Sequence, residues 1–185
     1  MFLRKSAIEP LPVTMSAVRM GDRVLQIGID DPAIASTLAS KVGLSGHAAI
    51  AVVDDANAAR AKSAAANAGI LVDVKVAPPD ALPFDSDAFD LVVVHSARGL
   101  VASLDADARG ATMREWRRVL RHGGRVMTIE SGTVTGLKAL LHKQPANEPY
   151  EAAGGVVGAL EAAGFKPVRL LADREGFKFT EGVKS

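Results

Sequence analysis

Asp90-Leu91-Val92-Val93-Val94-His95 is an unbroken apolar run with a polar residue at each end. A run of Leu and Val without period-2 alternation marks a strand buried on both faces, as in a parallel sheet covered by helices on each side. The same reading extends outward to Arg23–Ile29 (RVLQIGI), Ala48–Asp54 (AAIAVVD), a weaker Leu71–Val76, and Arg125–Glu130 (RVMTIE). Helical stretches lie between these blocks. Pro32–Lys41 begins with Asp31 as N-cap and Pro32 at the first helical position, and stops at Gly43. Ala56–Ala68 is alanine-rich and ends at Gly69. Asp107–Arg121 carries Met113, Trp116 and Leu120 on one face and ends at Gly123-Gly124, and Glu151–Ala163 ends at Gly164.

Strands alternating with helices predict an α/β, Rossmann-like, doubly wound sheet that is mostly parallel. The tail departs from that rhythm. Pro167–Ala172 and Phe177–Val183 are separated only by Asp173–Gly176, too short for a parallel crossover, so they are expected to form an antiparallel C-terminal hairpin. With no repeat or low-complexity linker in view, residues 1–185 are read as one domain, with residues 1–20 as a lead-in segment.

Composition narrows the chemistry. Of 185 residues 48% are hydrophobic and 23% charged, which supplies a core and excludes a disordered chain. Lys and Arg number 22 against 21 Asp and Glu, and only 4% of residues are aromatic; neither feature favours a nucleic-acid partner. The absence of cysteine removes disulfides, Cys-ligated metals and thiolate nucleophiles, and no metal-ligand spacing is visible. Glu9, Pro10 and Pro12 interrupt the start before a signal-peptide core can form, and nothing approaches the roughly 18 apolar residues of a membrane span. A cytoplasmic location without membrane contact is the expectation.

Four ordered segments resemble the class I S-adenosylmethionine-dependent methyltransferases, in the small-molecule branch that includes ubiquinone and menaquinone biosynthesis enzymes. They are Gly21-Asp22-Arg23-Val24-Leu25-Gln26-Ile27-Gly28, Val52-Val53-Asp54, Leu82-Pro83-Phe84-Asp85-Ser86-Asp87-Ala88-Phe89-Asp90-Leu91-Val92, and Glu115-Trp116-Arg117-Arg118-Val119-Leu120-Arg121-His122-Gly123-Gly124-Arg125. The third is the most specific, and the terminal hairpin matches that family's last two strands. The resemblance implies a seven-stranded class I methyltransferase fold from about Gly21 onward, with S-adenosylmethionine as cofactor. It also implies a site of Gln26, Gly28 and Asp30 in the first loop, Asp54 or Asp55 for a ribose diol, Asp80 and Ala81 beside the adenine, and His95 after the fourth strand facing the transferred methyl group.

Each of these residues also has a plain structural reading. Asp54 at a strand end can cap the following helix. Asp30-Asp31-Pro32 makes a good helix start. His95 is either a general base that deprotonates an acceptor hydroxyl or a polar group satisfied by nearby backbone. Glu130 and Ser131 end the fifth strand and either line the same mouth or are solvated strand-end residues, and Arg114, Arg117, Arg118 and Arg121 are read as a solvated helix face. Asn147-Glu148-Pro149-Tyr150 falls after the fifth strand, the wrong place for an amino-methyltransferase signature.

The chain also departs from the family's glycine loop. Gln26, Asp30, Pro32 and Pro78 stand where that family has an acid, glycines and a second acid. Such changes weaken the grip on the cofactor. Two readings therefore stand: methyl transfer to a small molecule, or a catalytically inactive subunit that keeps the fold for binding or assembly with a protein partner, as a homo-oligomer or otherwise. A nicotinamide-dinucleotide protein fares worse, because Gly-x-Gly-x-x-Gly is absent. Acceptor recognition would fall to Met1–Met20 and Ser131–Pro149.

Overall fold

The computed structural model describes residues 9–96, 99–132 and 148–185. In chain order the elements are α1 (Leu11–Ser16), β1 (Arg23–Ile27), α2 (Pro32–Lys41), β2 (His47–Val52), α3 (Asp55–Ala68), β3 (Asp73–Val76), β4 (Phe89–Ser96), α4 (Leu100–Ser103), α5 (Ala106–Val119), β5 (Leu120–Ser131), α6 (Glu148–Ala152), α7 (Gly155–Ala162), β6 (Phe165–Arg174) and β7 (Phe177–Lys184). The strands form a seven-stranded sheet in the order β3-β2-β1-β4-β5-β7-β6. The first five strands run parallel, and β7 lies antiparallel to both β5 and β6, as the sequence predicts.

The central strands are apolar on both faces because each face has its own core. Leu25, Ile27, Val92, Val94 and Val126 pack with Met113, Trp116 and Leu160 on one side. Val24, Leu91, Val93, Met127 and Ile129 pack with Ile34, Leu38 and Phe179 on the other. Successive residues of β1 and β4 thus enter opposite cores, so period-2 alternation cannot appear in the sequence.

Helix starts follow the capping chemistry. The Asp31 carboxylate accepts from the Ala33 and Ile34 amides at 2.8 and 3.4 Å, and Pro32 opens α2. Asp105 caps α5 through the Ala108 amide at 2.8 Å, which starts that helix at Ala106 rather than at Asp107.

Other boundaries differ from expectation for local reasons. The helix expected over Glu151–Ala163 is two short helices, because Gly154 and Gly155 adopt φ of 87° and 59°. Strand β5 begins at Leu120, which pairs with Phe89; the register then shifts so that Arg125 pairs with Leu91 across the Gly123-Gly124 irregularity. Arg121 therefore leaves the helix and pairs with Asp90, so the four arginines do not share one solvated face. Strand β3 starts only at Asp73, leaving Leu71 exposed. Arg98, Asn147 and most of the expected acceptor segment Ser131–Pro149 lie outside the described residues.

Candidate functional site

From β1 the chain crosses one way to β2 and β3, then returns to place β4 on the opposite side of β1. Ligands of open α/β sheets bind beyond the carboxyl ends of the strands at such a reversal. A cavity of about 280 Å³ lies there, near the lower end of the roughly 300–1,000 Å³ of ligand pockets. Its walls come from Ile27–Asp30 after β1, Ala51–Val53 at the end of β2, Asn57 and Arg60 on α3, and Ala77, Pro79 and Leu82 before β4. His95 at the end of β4, with Leu100 and Ser103 of α4, completes them.

Gly28 is required by geometry. Its φ is 79°, and a Cβ on it would stand 3.0 Å from the His95 carbonyl oxygen. The crest between β1 and β4 is thereby kept low enough for a ligand to lie against backbone. Gln26 supports this loop from below, donating from Nε2 to the Gly28 carbonyl at 3.1 Å. Its side chain is buried, it does not line the cavity, and Oε1 has no hydrogen-bond partner among the described residues.

Asp30 lines the cavity and is half-buried. His95 is only 3% exposed, and its Nδ1 also has no partner among the described residues. It is therefore not the satisfied strand-end histidine of the plainer reading. Burial holds the imidazole below its ordinary value of 6.5, against a smaller pull upward from Asp30 and Asp31. Burial thus favours the neutral ring.

The other expected cofactor residues stand elsewhere. Asp54 lies two residues beyond β2 and caps α3: Oδ1 accepts from the Asn57 amide at 2.7 Å and Oδ2 from Asn57 Nδ2 at 2.9 Å. Neither Asp54 nor Asp55 lines the cavity; Asn57 and Arg60 do, and Arg60 Nη1 donates to Asn57 Oδ1 at 3.0 Å. Sequence reasoning missed this pair, although Asn57 and Arg60 follow Asp54 at spacings of three and six, on the face that a cap at Asp54 would set. Asp80 and Ala81 are exposed in a turn closed by the Ala81 amide on the Pro78 carbonyl at 3.2 Å, with only Pro79 and Leu82 reaching the cavity wall.

Glu130 is not solvated. Tyr150 donates its hydroxyl to Glu130 Oε1 at 3.0 Å, and the Arg109 guanidinium lies 4.5 Å above the tyrosine ring. Burial pushes the Glu130 carboxyl up and drives the Tyr150 phenol well above its ordinary range. The one tyrosine in the chain was the available signal. This cluster does not line the cavity.

Among the described residues no group of three or more acidic or histidine side chains could hold a metal, and no helix is long and apolar enough to cross a membrane.

Residues 19–128 match a family described as methyltransferase domain. The ubiquinone/menaquinone biosynthesis C-methyltransferase UbiE of Idiomarina loihiensis is 32% identical over 120 residues, covering 64% of this chain and 46% of that protein. UbiE of Stenotrophomonas maltophilia strain R551-3 is 32% identical over 125 residues, covering 66% of this chain and 47% of that protein. The chain thus spans about half the length of the curated relatives it matches. Among solved structures, a SAM-dependent methyltransferase from Aquifex aeolicus superposes with a TM-score of 0.71 at 18% identity, covering 94% of this chain and 87% of that one, a likeness of fold.

Proposed function

The chain belongs to the methyltransferase-domain family, and on that premise we propose that its cleft takes S-adenosylmethionine and transfers the methyl group to a small-molecule acceptor. The observation that carries this reading is the cavity at the point where the strand order reverses, walled by Gly28, Asp30 and His95. Bound there, the cofactor supplies an electrophilic methyl on a sulfonium.

The chain's residues fit such a ligand on three counts. Gly28 lets it approach the sheet crest, Asp30 offsets a positive charge, and His95 accepts a proton from an acceptor hydroxyl. Gln26 holds the glycine loop in place. On one count the fit differs: the Asp54 carboxylate reaches the cleft only through Asn57. Asp55 stands beside that corner, and Asp80 and Ala81 flank the end where Leu82 enters the wall. Residues 1–185 act as one domain in this reading. The comparisons lend no support to a binding-only role.

Isothermal titration of the full chain with S-adenosylmethionine and S-adenosylhomocysteine tests it. Binding in the micromolar range is expected; no heat and no thermal shift with millimolar ligand overturns the reading. His95→Asn should retain S-adenosylhomocysteine binding while methyl transfer falls roughly 100-fold or more.

A further inference from the structure

The two edges of the sheet are built differently. Strand β6, at one end, carries Lys166, Pro167 with no amide hydrogen, and a register irregularity between Leu170 and Ala172. A charge, a proline and a bulge are the devices that keep an edge from pairing with another chain. Strand β3, at the other end, pairs with β2 in unbroken register over Asp73–Val76, and among the described residues no strand lies beyond it. Its one lysine, Lys75, is held at 3.2 Å by Asp73 on the same face. Val76, on the opposite face, is an apolar side chain left 47% exposed at this edge.

The backbone phase of that edge is fixed. The Ala77 amide donates to the Val52 carbonyl of β2 at 2.9 Å, and along a strand successive residues turn their main-chain groups to alternate sides. Lys75 therefore points its amide and carbonyl at β2, while Val74 and Val76 point theirs outward. Residues 72–76 read Val-Asp-Val-Lys-Val, a stretch complementary to itself when run backwards.

We propose that β3 pairs antiparallel with β3 of a second copy of this chain, about a two-fold axis at Val74. In that register Val74 meets Val74, Val72 meets Val76, and Asp73 meets Lys75 on both sides of the axis. Main-chain bonds form at the valines, whose groups face outward, and opposite charges sit across from one another on one face. A slip of two residues sets Asp73 against Asp73 or Lys75 against Lys75, and a slip of one sets outward groups against inward ones. Of these registers only the first satisfies backbone, valines and charge together. The contact is isologous, so it closes at two copies. It is also short, which places the dimer in the weak, reversible class. The inference is independent of the methyl-transfer reading.

Sedimentation velocity of the full chain over a concentration series tests it, alongside Asp73→Lys, Lys75→Asp and the double variant that exchanges the two charges. Both side chains are more than a third exposed, so all three variants should melt close to wild type. Wild type is expected to pass from monomer to dimer as concentration rises. Each single variant sets like charges opposite, and self-association should weaken roughly 10-fold or more. The double variant should regain it, and a mixture of the two single variants should form a heterodimer. Amide exchange at Val74 and Val76 should slow as wild type dimerises, with Lys75 unchanged.

A wild type that stays monomeric throughout overturns pairing with a second copy and leaves the edge to a strand of another protein. A dimer indifferent to both single variants, or one that the exchanged pair fails to restore, overturns it as well. S-adenosylhomocysteine binding by a monomer leaves methyl transfer standing, and a dimer that binds no S-adenosylhomocysteine does the reverse.

Discussion

Glu115 and Arg118, one turn apart on α5, form a clamp on the Leu82-Pro83-Phe84 segment. Glu115 Oε1 accepts from the Leu82 amide at 2.8 Å, while Arg118 Nη2 donates to the Leu82 carbonyl at 3.1 Å and the Phe84 carbonyl at 2.8 Å. The two side chains are themselves joined at 2.8 Å. Two segments 33 residues apart, read separately in the sequence, are thus one device that fixes the loop carrying Leu82 into the cavity wall.

Glu115→Ala should loosen that loop and cost about 1.5 kcal/mol, the low end for a charge-assisted bond because Arg118 is partly exposed. The hydrogen bond from Arg118 holds the Glu115 carboxyl below its ordinary 4.5. Its contribution is therefore present in full above pH 4.5 and is lost as pH falls through the lower folded value. Urea midpoints at pH 7 and pH 3.5 should converge between wild type and Glu115→Ala at the acid end.

Gly28→Ala places a methyl 3.0 Å from the His95 carbonyl oxygen at a φ of 79°. About 1–2 kcal/mol of strain is expected from the left-handed backbone alone, seen as a lower Tm. S-adenosylhomocysteine affinity should fall with it, because the crest of the sheet rises into the cleft.

His95 shares the pH sense of Glu115 but not its cause. Burial lowers its folded value below 6.5, so the unfolded chain takes up a proton that the folded chain refuses. Stability from this group is complete above pH 6.5 and declines as pH falls toward the folded value. Thermal melts across pH 7.5 to 5 should show a decline in wild type that His95→Asn lacks.

Tyr150→Phe leaves the buried Glu130 carboxyl without its hydroxyl donor, at a cost of about 1–3 kcal/mol. Burial raises the Glu130 value, so its contribution is full below pH 4.5 and is lost as pH rises through the folded value. Glu130→Gln keeps an acceptor for Tyr150 and should flatten the loss of stability between pH 4.5 and 8. Denaturant titrations at those two pH values check it.

The seven strands and their order of direction were legible because buried parallel strands write themselves as apolar runs, and Asp31 and Pro32 announced α2 by capping chemistry. Boundaries went wrong where backbone geometry intervened: left-handed Gly154 and Gly155 divided one expected helix, and the Phe89–Leu120 pairing pulled Arg121 into a strand. Of the residues expected at the site, Gly28, Asp30 and His95 line the cavity. The site was not legible at Asp54, where a carboxylate can cap a helix or face a ligand, and local sequence is the same for both.

Taken alone, the sequence determined the fold class, the hairpin at its end and the position of the cleft, since these follow from hydrophobic pattern and connection length. Only the tertiary structure decided which polar groups enter that cleft. Whether a side chain meets solvent, a helix amide or a cavity depends on elements distant in the chain, such as β4 burying His95 beside Gly28 and α3 turning Asn57 and Arg60, rather than Asp54, into the wall.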